Sequence, residues 1–165
     1  MIKVISGGQT GVDQAALRAA RRLGLETGGL APKGWRTEAE PAPWLADYGL
    51  IESHSGGYQW RTSQIVTSGD VTMVIGDVKS AGSDLTLRLA ASFKKPRLAF
   101  SSFGPSFDAF KDENKAAAVV SWLQKWRPTV INVAGNRESV NLGIGEAAEE
   151  WLARILGEYR RLSSS

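Results

Sequence analysis

The chain has 165 residues and no cysteine, and its formal net charge at pH 7 is +3. This length is typical of one domain with a sizeable core, so we expect a single ligand-binding domain over residues 1–165. The absence of cysteine excludes a disulfide framework and a thiolate metal site. The small positive charge suits an anionic ligand and does not require nucleic acid as a partner.

The sequence predicts a cytoplasmic protein that does not enter a membrane. No apolar run approaches the roughly 18 to 20 residues that span a bilayer. The opening stretch, MIKVISGGQTG, lacks the basic and apolar regions of a secretory signal. A chain without cysteine also has no need of an oxidising compartment.

Apolar, β-branched runs alternate with helical patterns along the chain. The run over 2–7 predicts a strand, and apolar residues at helical spacing over 12–23 predict a helix that ends before Gly24. The stretch 28–57, rich in Gly, Pro, Trp and Ser, is predicted to be a set of loops. Three later strands are predicted at 71–78, 96–100 and 129–135. Each is followed by a predicted helix, at 84–95, 113–126 and 142–162 respectively.

This alternation predicts an α/β fold in which a mainly parallel sheet is covered by helices on both faces, a three-layer sandwich. The last predicted helix carries an apolar face that includes Ala148, Trp151 and Ile155. That face is expected to pack against the sheet or against another subunit, and a homo-oligomer is predicted on this ground.

The first predicted turn combines glycines with polar residues. Gly7 and Gly8 would let the backbone approach a ligand closely, and the following helix offers unpaired N–H groups to an anion. The carboxyl ends of parallel strands form the ligand crevice of such folds, so the turn lies at the expected site. The spacing fits neither the dinucleotide motif nor a P-loop. In a purely structural alternative, Thr10 caps the helix and Asp13 returns a hydrogen bond, and both interpretations can hold together.

Two further strand ends repeat this chemistry. Gly82 and Ser83 open the helix after the strand at 71–78, and Gly135, Asn136 and Arg137 follow the strand at 129–135. Three turns of this kind would converge at one edge of a parallel sheet. Ser83 is equally well interpreted as the N-cap of its helix, with Asp84 in the first turn.

Two cationic side chains are candidates for binding an anionic ligand. Arg137 directly follows a strand end, where its guanidinium would clamp a phosphate or carboxylate with two hydrogen bonds. The alternative is a surface ion pair with Glu138 or Glu146. Lys33, in the loop APKGW, is a weaker candidate, because a loop lysine is more often simply solvated.

Five segments together resemble the "putative molybdenum carrier" family, and they span nearly the whole chain. They are SGGQTGVDQAALRAA, PKGW, the Y-x-W-R-T pattern that ends at Thr62, GSDLT and NVAGNRES. The resemblance implies the Rossmann-like fold of a circularly permuted branch of the SLOG superfamily. It also implies a pocket for a phosphorylated small molecule that is nucleotide-like or pterin-like. The predicted ligand-binding residues are Gly7, Gly8, Gln9, Thr10, Gly11, Asp13, Lys33, Arg61, Thr62, Gly82, Ser83, Thr86, Gly135, Asn136 and Arg137.

The family name implies the molybdenum cofactor, molybdopterin, as a bound ligand. Its phosphate would be held by the glycine turns and Arg137, and its flat pterin would stack on an indole such as Trp35 or Trp60. Ordinary packing is the favoured interpretation of both tryptophans. The chain has no thiolate that could ligate molybdenum, which agrees with carriage of an intact cofactor.

A nucleotide-processing hydrolase of the lysine decarboxylase-like type is the main alternative. Those relatives have a Pro-Gly-Gly-x-Gly-Thr-x-x-Glu turn with a catalytic glutamate, whereas the corresponding SAGSDLTLR offers only Asp84. A carrier or binding protein is therefore favoured over an enzyme. Asp13 or Asp70 would remain as a general base and His54 as an acid or base, although His54 is better interpreted as a solvated loop residue.

Single-strand nucleic-acid binding ranks third, because it needs a basic groove with interleaved aromatic residues. The basic pairs at 21–22, 94–95 and 160–161 instead fall near predicted helix ends. Cations at such positions complement the helix dipole.

Overall fold

A computed structural model describes residues 1–54 and 57–165 and contains one six-stranded sheet. The strands are β1 (Lys3–Ser6), β2 (Glu26–Ala31), β3 (Leu50–Glu52), β4 (Val71–Gly76), β5 (Arg97–Ser101) and β6 (Val130–Gly135). Their order is β3-β2-β1-β6-β4-β5, and every pairing among them is parallel. The last strand therefore lies between the first and the fourth.

Five α-helices cover the two faces of the sheet. They are α1 (Val12–Arg22), α2 (Tyr58–Ser68), α3 (Ala81–Ser92), α4 (Glu113–Trp126) and α5 (Ile144–Ser163), with 3₁₀ helices at Lys33–Trp35, Pro43–Tyr48 and Asp108–Lys111. Helix α5 packs against α1 and α4 on one face, and α2 packs against α3 on the other. The predicted three-layer, Rossmann-like α/β sandwich is confirmed.

The alternation of side chains along β6 separates the two faces. Ile131 and Val133 belong to the large apolar core beneath α1, α4 and α5. Asn132 and Ala134 point to the opposite face, beneath α2 and α3, as the period of two in a strand requires. That second face carries the cleft described below.

The prediction of loops throughout 28–57 is wrong, because the structure places β2 and β3 in and around that stretch. The sequence of β2, ETGGLA, hides the strand because glycine has low β propensity. Its glycines are needed for close packing. A Cβ on Gly29, whose φ is +136°, would lie 1.9 Å from the carbonyl oxygen of Ser6 in the neighbouring strand β1.

Helix α2 has no counterpart among the predicted elements. Its sequence, YQWRTSQIVTS, is rich in aromatic and β-branched residues and has little helical amphipathicity. Several of its hydroxyls return hydrogen bonds to carbonyls one turn earlier, as Thr62 does to Tyr58 at 2.8 Å. Burial of Ile65 and Val66 against the sheet holds this helix in place.

The apolar face of α5 is buried within the chain itself. Ala148, Trp151, Leu152, Ile155 and Tyr159 all belong to the large core. The homo-oligomer therefore stays a prediction, and this helix no longer supports it. Among the described residues, no helix combines the length and the apolarity that crossing a bilayer requires.

Candidate functional site

A cleft of about 1190 Å³ lies at the carboxyl ends of the strands. Loops after β1, β2, β3, β4 and β6 form its rim, and α2 and α3 form one wall. This is where open parallel sheets of this class bind ligands. The volume is somewhat above the range of roughly 300–1,000 Å³ that is typical of small-molecule sites.

The cleft is lined by more cations than carboxylates. Arg88 is paired with Asp84 outside the cleft, at 2.8 Å, whereas Arg61 is half-buried in the wall. The excess of positive charge suits an anionic ligand. The five cationic side chains are Lys33, Arg36, Arg61, Arg88 and Arg137, and the two carboxylates are Asp13 and Glu38.

The structure brings together most of the residues that the sequence predicts for the site. Gly8, Thr10 and Gly11 do not line the cleft. The predicted residues that do line it are Gly7, Gln9, Asp13, Lys33, Arg61, Thr62, Gly82, Ser83, Thr86, Gly135, Asn136 and Arg137.

Two of the first-turn glycines make room for the chain itself. A Cβ on Gly8, whose φ is +76°, would lie 2.8 Å from Leu45 Cδ1 and 2.9 Å from Leu50 Cδ2. A Cβ on Gly11 would lie 2.2 Å from the carbonyl oxygen of Asn136, where the loops after β1 and β6 touch. The absence of a side chain at these two glycines therefore allows close packing within the chain.

The predicted helix caps are wrong in detail. Helix α1 has Gly11 as its N-cap residue, without a side-chain cap, so Thr10 does not cap it. Asp13 does return a hydrogen bond, because its Oδ2 accepts from the backbone N–H of Gln9 at 3.2 Å. In α3 the N-cap residue is Ser80, and Ser83 lies in the first turn.

Glu38, which the sequence analysis did not identify, links two loops at the cleft rim. Its carboxylate accepts hydrogen bonds from the Thr10 hydroxyl and from the backbone N–H and hydroxyl of Ser139. Gln9 Oε1 in turn accepts from the backbone N–H groups of Thr10 and Glu38, at 3.0 Å each. Since these contacts join residues far apart in the chain, no local pattern predicts them.

Asp13 is a buried carboxyl in the cleft wall. Desolvation by burial raises its pKa from 3.8 to about 6, against the opposing effects of the Gln9 N–H and the charge of Arg61. Arg61 Nη1 donates to the carbonyl oxygens of Gly7 and Leu30, both at 3.2 Å. The site thus contains an acid that titrates near neutral pH beside a fixed cation.

Asn136 is a structural link at the cleft edge. Its Oδ1 accepts from the Asp77 N–H, at 2.5 Å, and from Asn141 Nδ2, at 3.3 Å. Its Nδ2 donates to the Asp77 carbonyl at 3.2 Å and to Ser80 Oγ at 3.1 Å. These bonds tie the end of β6 to the end of β4 and occupy the amide.

Arg137 is exposed at the cleft mouth. None of the ion pairs found within 1–54 and 57–165 involves Arg137, so the predicted alternative pairing with Glu138 or Glu146 is not found. Glu138 instead accepts from the backbone N–H groups of Gly143 and Gly145. The positive charge of Arg137 acts on Glu38 across the mouth.

The tryptophans suggested as stacking platforms lie outside the cleft lining. Trp35 packs against the smaller apolar cluster around Leu45, and Trp60 is exposed on α2. Tyr58, at the start of α2, does line the cleft, and the Arg61 guanidinium carbon lies 5.5 Å from the centroid of its ring. An aromatic face is therefore present, from a residue that the sequence analysis did not select.

The candidate acid–base groups lie in different places. His54 lines the cleft and is exposed. Asp70 lies at the amino ends of β4 and β6, where its Oδ2 accepts from the N–H groups of Thr129 and Val130, at 2.8 Å each. The hypothesis that Asp70 acts as a base in this cleft is therefore wrong on geometry.

Two of the three basic pairs at helix ends, 21–22 and 160–161, contain an arginine that forms an ion pair within the chain. Arg22 pairs with Glu149 and Glu150, and Arg161 pairs with Glu158. These intramolecular pairs favour the helix-end interpretation over a nucleic-acid groove.

Comparison with known proteins identifies the family and a protein of similar fold. A model of the circularly permutated YpsA SLOG family matches residues 4–156. A crystal structure of the "putative molybdenum carrier protein" of Syntrophus aciditrophicus SB is 34% identical, with a TM-score of 0.83, over 94% of this chain and 95% of that one. No match was found among curated proteins.

The strand order corresponds to a circular permutation of a doubly wound sheet. If β6 preceded β1, three successive crossovers would run outwards from it to β3, and β4 and β5 would continue on its other side, as in a doubly wound sheet. In this chain that central strand comes last. The chain belongs to the circularly permutated YpsA SLOG family.

Proposed function

We propose that this chain is a carrier or binding protein that holds a phosphorylated small molecule, pterin-like or nucleotide-like, in the cleft. The observation that carries the proposal is the convergence of strand-end loops and cations on one large cleft, as the charge of such a ligand requires. The similarity to a protein described as a molybdenum carrier supports molybdenum cofactor as the cargo.

The phosphate end of the ligand is assigned to the rim. Lys33, Arg36 and Arg137 are all exposed there, on the loops after β2 and β6. Exposed cations at a cleft mouth attract anions from solution and lose little solvation before the ligand arrives. Arg137 presents the planar fork that pairs with two phosphate oxygens.

The planar end of the ligand is assigned to the space beside Tyr58. A Cβ on Gly82 would lie 2.8 Å from the Tyr58 hydroxyl, so α3 and this ring approach closely. An aromatic face packs well against a flat heterocycle. The absence of a side chain at Gly82 thereby makes room for the Tyr58 hydroxyl at this wall of the cleft.

The proposal is tested by thermal unfolding with phosphorylated ligands. Since a ligand that binds only the folded state stabilises it, a nucleoside monophosphate or a phosphorylated pterin should raise the melting temperature, and more so the tighter it binds. Inorganic phosphate at the same ionic strength is the control. If no phosphorylated compound shifts the melting temperature more than inorganic phosphate does, the proposal is wrong.

A second candidate is a nucleotide hydrolase, and the raised pKa of Asp13 favours it. A buried carboxyl with a pKa of about 6 is suited to proton transfer near neutral pH. Release of free base from nucleoside monophosphates, in proportion to the protein and lost in Asp13→Asn, would establish this activity. The carrier proposal expects binding without base release.

A further inference from the structure

The cleft contains two buried polar atoms without hydrogen-bond partners in the described chain. Asn132 is 2% exposed, and its Nδ2 donates to Thr72 Oγ1 at 3.2 Å while its Oδ1 has no partner. Ser83 is 4% exposed, and its Oγ has no partner either. Both residues line the cleft, one from β6 at its floor and one from the first turn of α3.

Unpaired buried polar atoms are rare because each loses its bonds to water on folding. Ser102 Oγ is also unpaired and buried, but it lies outside the cleft. The atoms of Asn132 and Ser83 differ because both residues line the cleft. Their partners are therefore expected among the atoms of a ligand in the cleft.

The two threonine hydroxyls of this wall are already engaged. Thr62 Oγ1 donates to the Tyr58 carbonyl, and Thr86 Oγ1 donates to the Gly82 carbonyl. Ile65 is apolar and also faces this space. The buried side-chain atoms of this part of the cleft that remain unpaired are Asn132 Oδ1 at the floor and Ser83 Oγ in the wall.

The chemistry of the two atoms defines their complement. An amide oxygen only accepts, so the group opposite Asn132 Oδ1 must be a donor, whereas the Ser83 hydroxyl can donate or accept. Both atoms are uncharged and buried, and a phosphate oxygen offers no donor when ionised. The cationic rim, by contrast, suits the phosphate.

We propose that the floor of the cleft is a specificity pocket for a heterocycle, which donates an N–H hydrogen bond to Asn132 Oδ1 and exchanges a second hydrogen bond with Ser83 Oγ. The phosphate of the same ligand lies at the rim. This inference rests on the proposed function and adds the requirement for an N–H on the ring.

The test uses nucleotides that differ in the donor groups of their base. AMP and GMP carry N–H donors on the base, whereas purine riboside 5′-monophosphate has the same ribose and phosphate and no N–H on its base. Calorimetry with the wild-type protein should show about tenfold tighter binding of at least one of the first two, the ratio expected from one hydrogen bond. Equal affinity for all three would overturn the proposal and indicate that bound water satisfies Asn132.

Variants show which residues cause the difference in affinity between the nucleotides. Asn132→Ala should bring the affinity ratio close to one, and Ser83→Ala should reduce it, with both variants folded by circular dichroism. Ser102→Ala, which removes a buried unpaired hydroxyl outside the cleft, should leave the ratio unchanged. A full wild-type ratio in either folded cleft variant would contradict the role of that residue.

The outcome separates this inference from the proposed function. If none of the three nucleotides binds while the natively purified protein releases another phosphorylated compound on denaturation, the proposed function stands. The specificity pocket then stands only if the released compound carries a ring N–H and loses affinity in Asn132→Ala, and it is wrong otherwise.

Discussion

The carboxylate of Asp13 and the guanidinium of Arg61 both approach Gly7 in the wall of the cleft. A Cβ on Gly7 would lie 2.9 Å from Arg61 Nη1 and 3.0 Å from Asp13 Oδ2. Arg61 offsets part of the effect of burial on Asp13 without restoring an ordinary pKa. This pair joins α1, α2 and the loop after β1 at the point where the ligand is proposed to bind.

Titration of Asp13 should be visible in the stability of the protein. Because its folded pKa of about 6 lies above the ordinary value of 3.8, the folded state holds more protons between these pH values. Its contribution to the free energy of unfolding therefore falls as pH rises from about 4 to 6, by about 3 kcal/mol for a shift of this size. Denaturant unfolding of wild type and Asp13→Asn at pH 4 and pH 7 measures this change in the free energy of unfolding.

As the pH rises from 4 to 7, the free energy of unfolding of Asp13→Asn should increase relative to that of wild type. The charge interaction with Arg61 arises only when Asp13 is ionised, and it is already included in the folded pKa of about 6. A difference between variant and wild type that does not change with pH would contradict the raised pKa.

Arg61 and Arg137 should respond differently to truncation. Arg137 is exposed and makes no ion pair within the described chain, so Arg137→Ala should weaken binding of a phosphorylated ligand by about tenfold and barely change the melting temperature. Arg61→Ala should lower the melting temperature as well, because it removes bonds to Gly7 and Leu30 and leaves Asp13 without a nearby cation. Calorimetry and thermal unfolding separate the two effects.

Arg137→Lys is the matched control for charge. It should recover part of the affinity, since a point charge lacks the fork of a guanidinium. If Arg137→Ala binds as the wild type does, the phosphate clamp is not at Arg137, and Lys33 and Arg36 are the remaining cations of the rim.

The two glycines of the first turn should give opposite results. Gly8→Val should destabilise the protein strongly, because φ is +76° and the new side chain would collide with Leu45 and Leu50. Gly7→Ala should remain folded, since the nearest atoms are the ends of the Arg61 and Asp13 side chains and not backbone, and should weaken ligand binding by displacing those ends. A stable Gly8→Val variant that loses binding would restore Gly8 to the ligand site.

The predictable parts of this fold are those in which local pattern and tertiary packing agree. Helix α4 occupies the predicted range 113–126, and β6 begins one residue inside its predicted range. Strand β2 was missed because close contact with Ser6 selects its glycines, and a sequence pattern treats glycine as a loop signal. Helix α2 was missed because burial, and not propensity, stabilises it.

The same distinction applies to the cleft. Strand-end glycines and cations are visible in the sequence because parallel strands bring their carboxyl ends together. The contact between Glu38 and Ser139 spans 101 residues, and the unpaired oxygen of Asn132 arises in the middle of an apolar strand. Neither leaves a local signal, since both depend on what the folded chain places opposite them.

Asp70 allows a contribution to stability to be tested separately from ligand binding. Its Oδ2 accepts hydrogen bonds from Thr129 and Val130 at the end of the sheet opposite the cleft. Asp70→Ala should lower the free energy of unfolding by about 1–3 kcal/mol, because backbone donors lose a charged acceptor. Ligand affinity measured by calorimetry should stay within a factor of two or so of wild type, and a larger loss would contradict the assignment of the site.

The central claim, that the cleft holds a phosphorylated small molecule, is tested most directly by what the protein carries. Wild type, Gly82→Leu and Ala91→Leu would be purified natively, denatured, and their released compounds identified by mass spectrometry. Gly82 faces Tyr58 inside the cleft, whereas Ala91 is exposed on the same helix. The account predicts one phosphorylated heterocyclic compound from wild type and Ala91→Leu and its loss from folded Gly82→Leu; equal release from all three proteins, or no such compound from wild type, would contradict it.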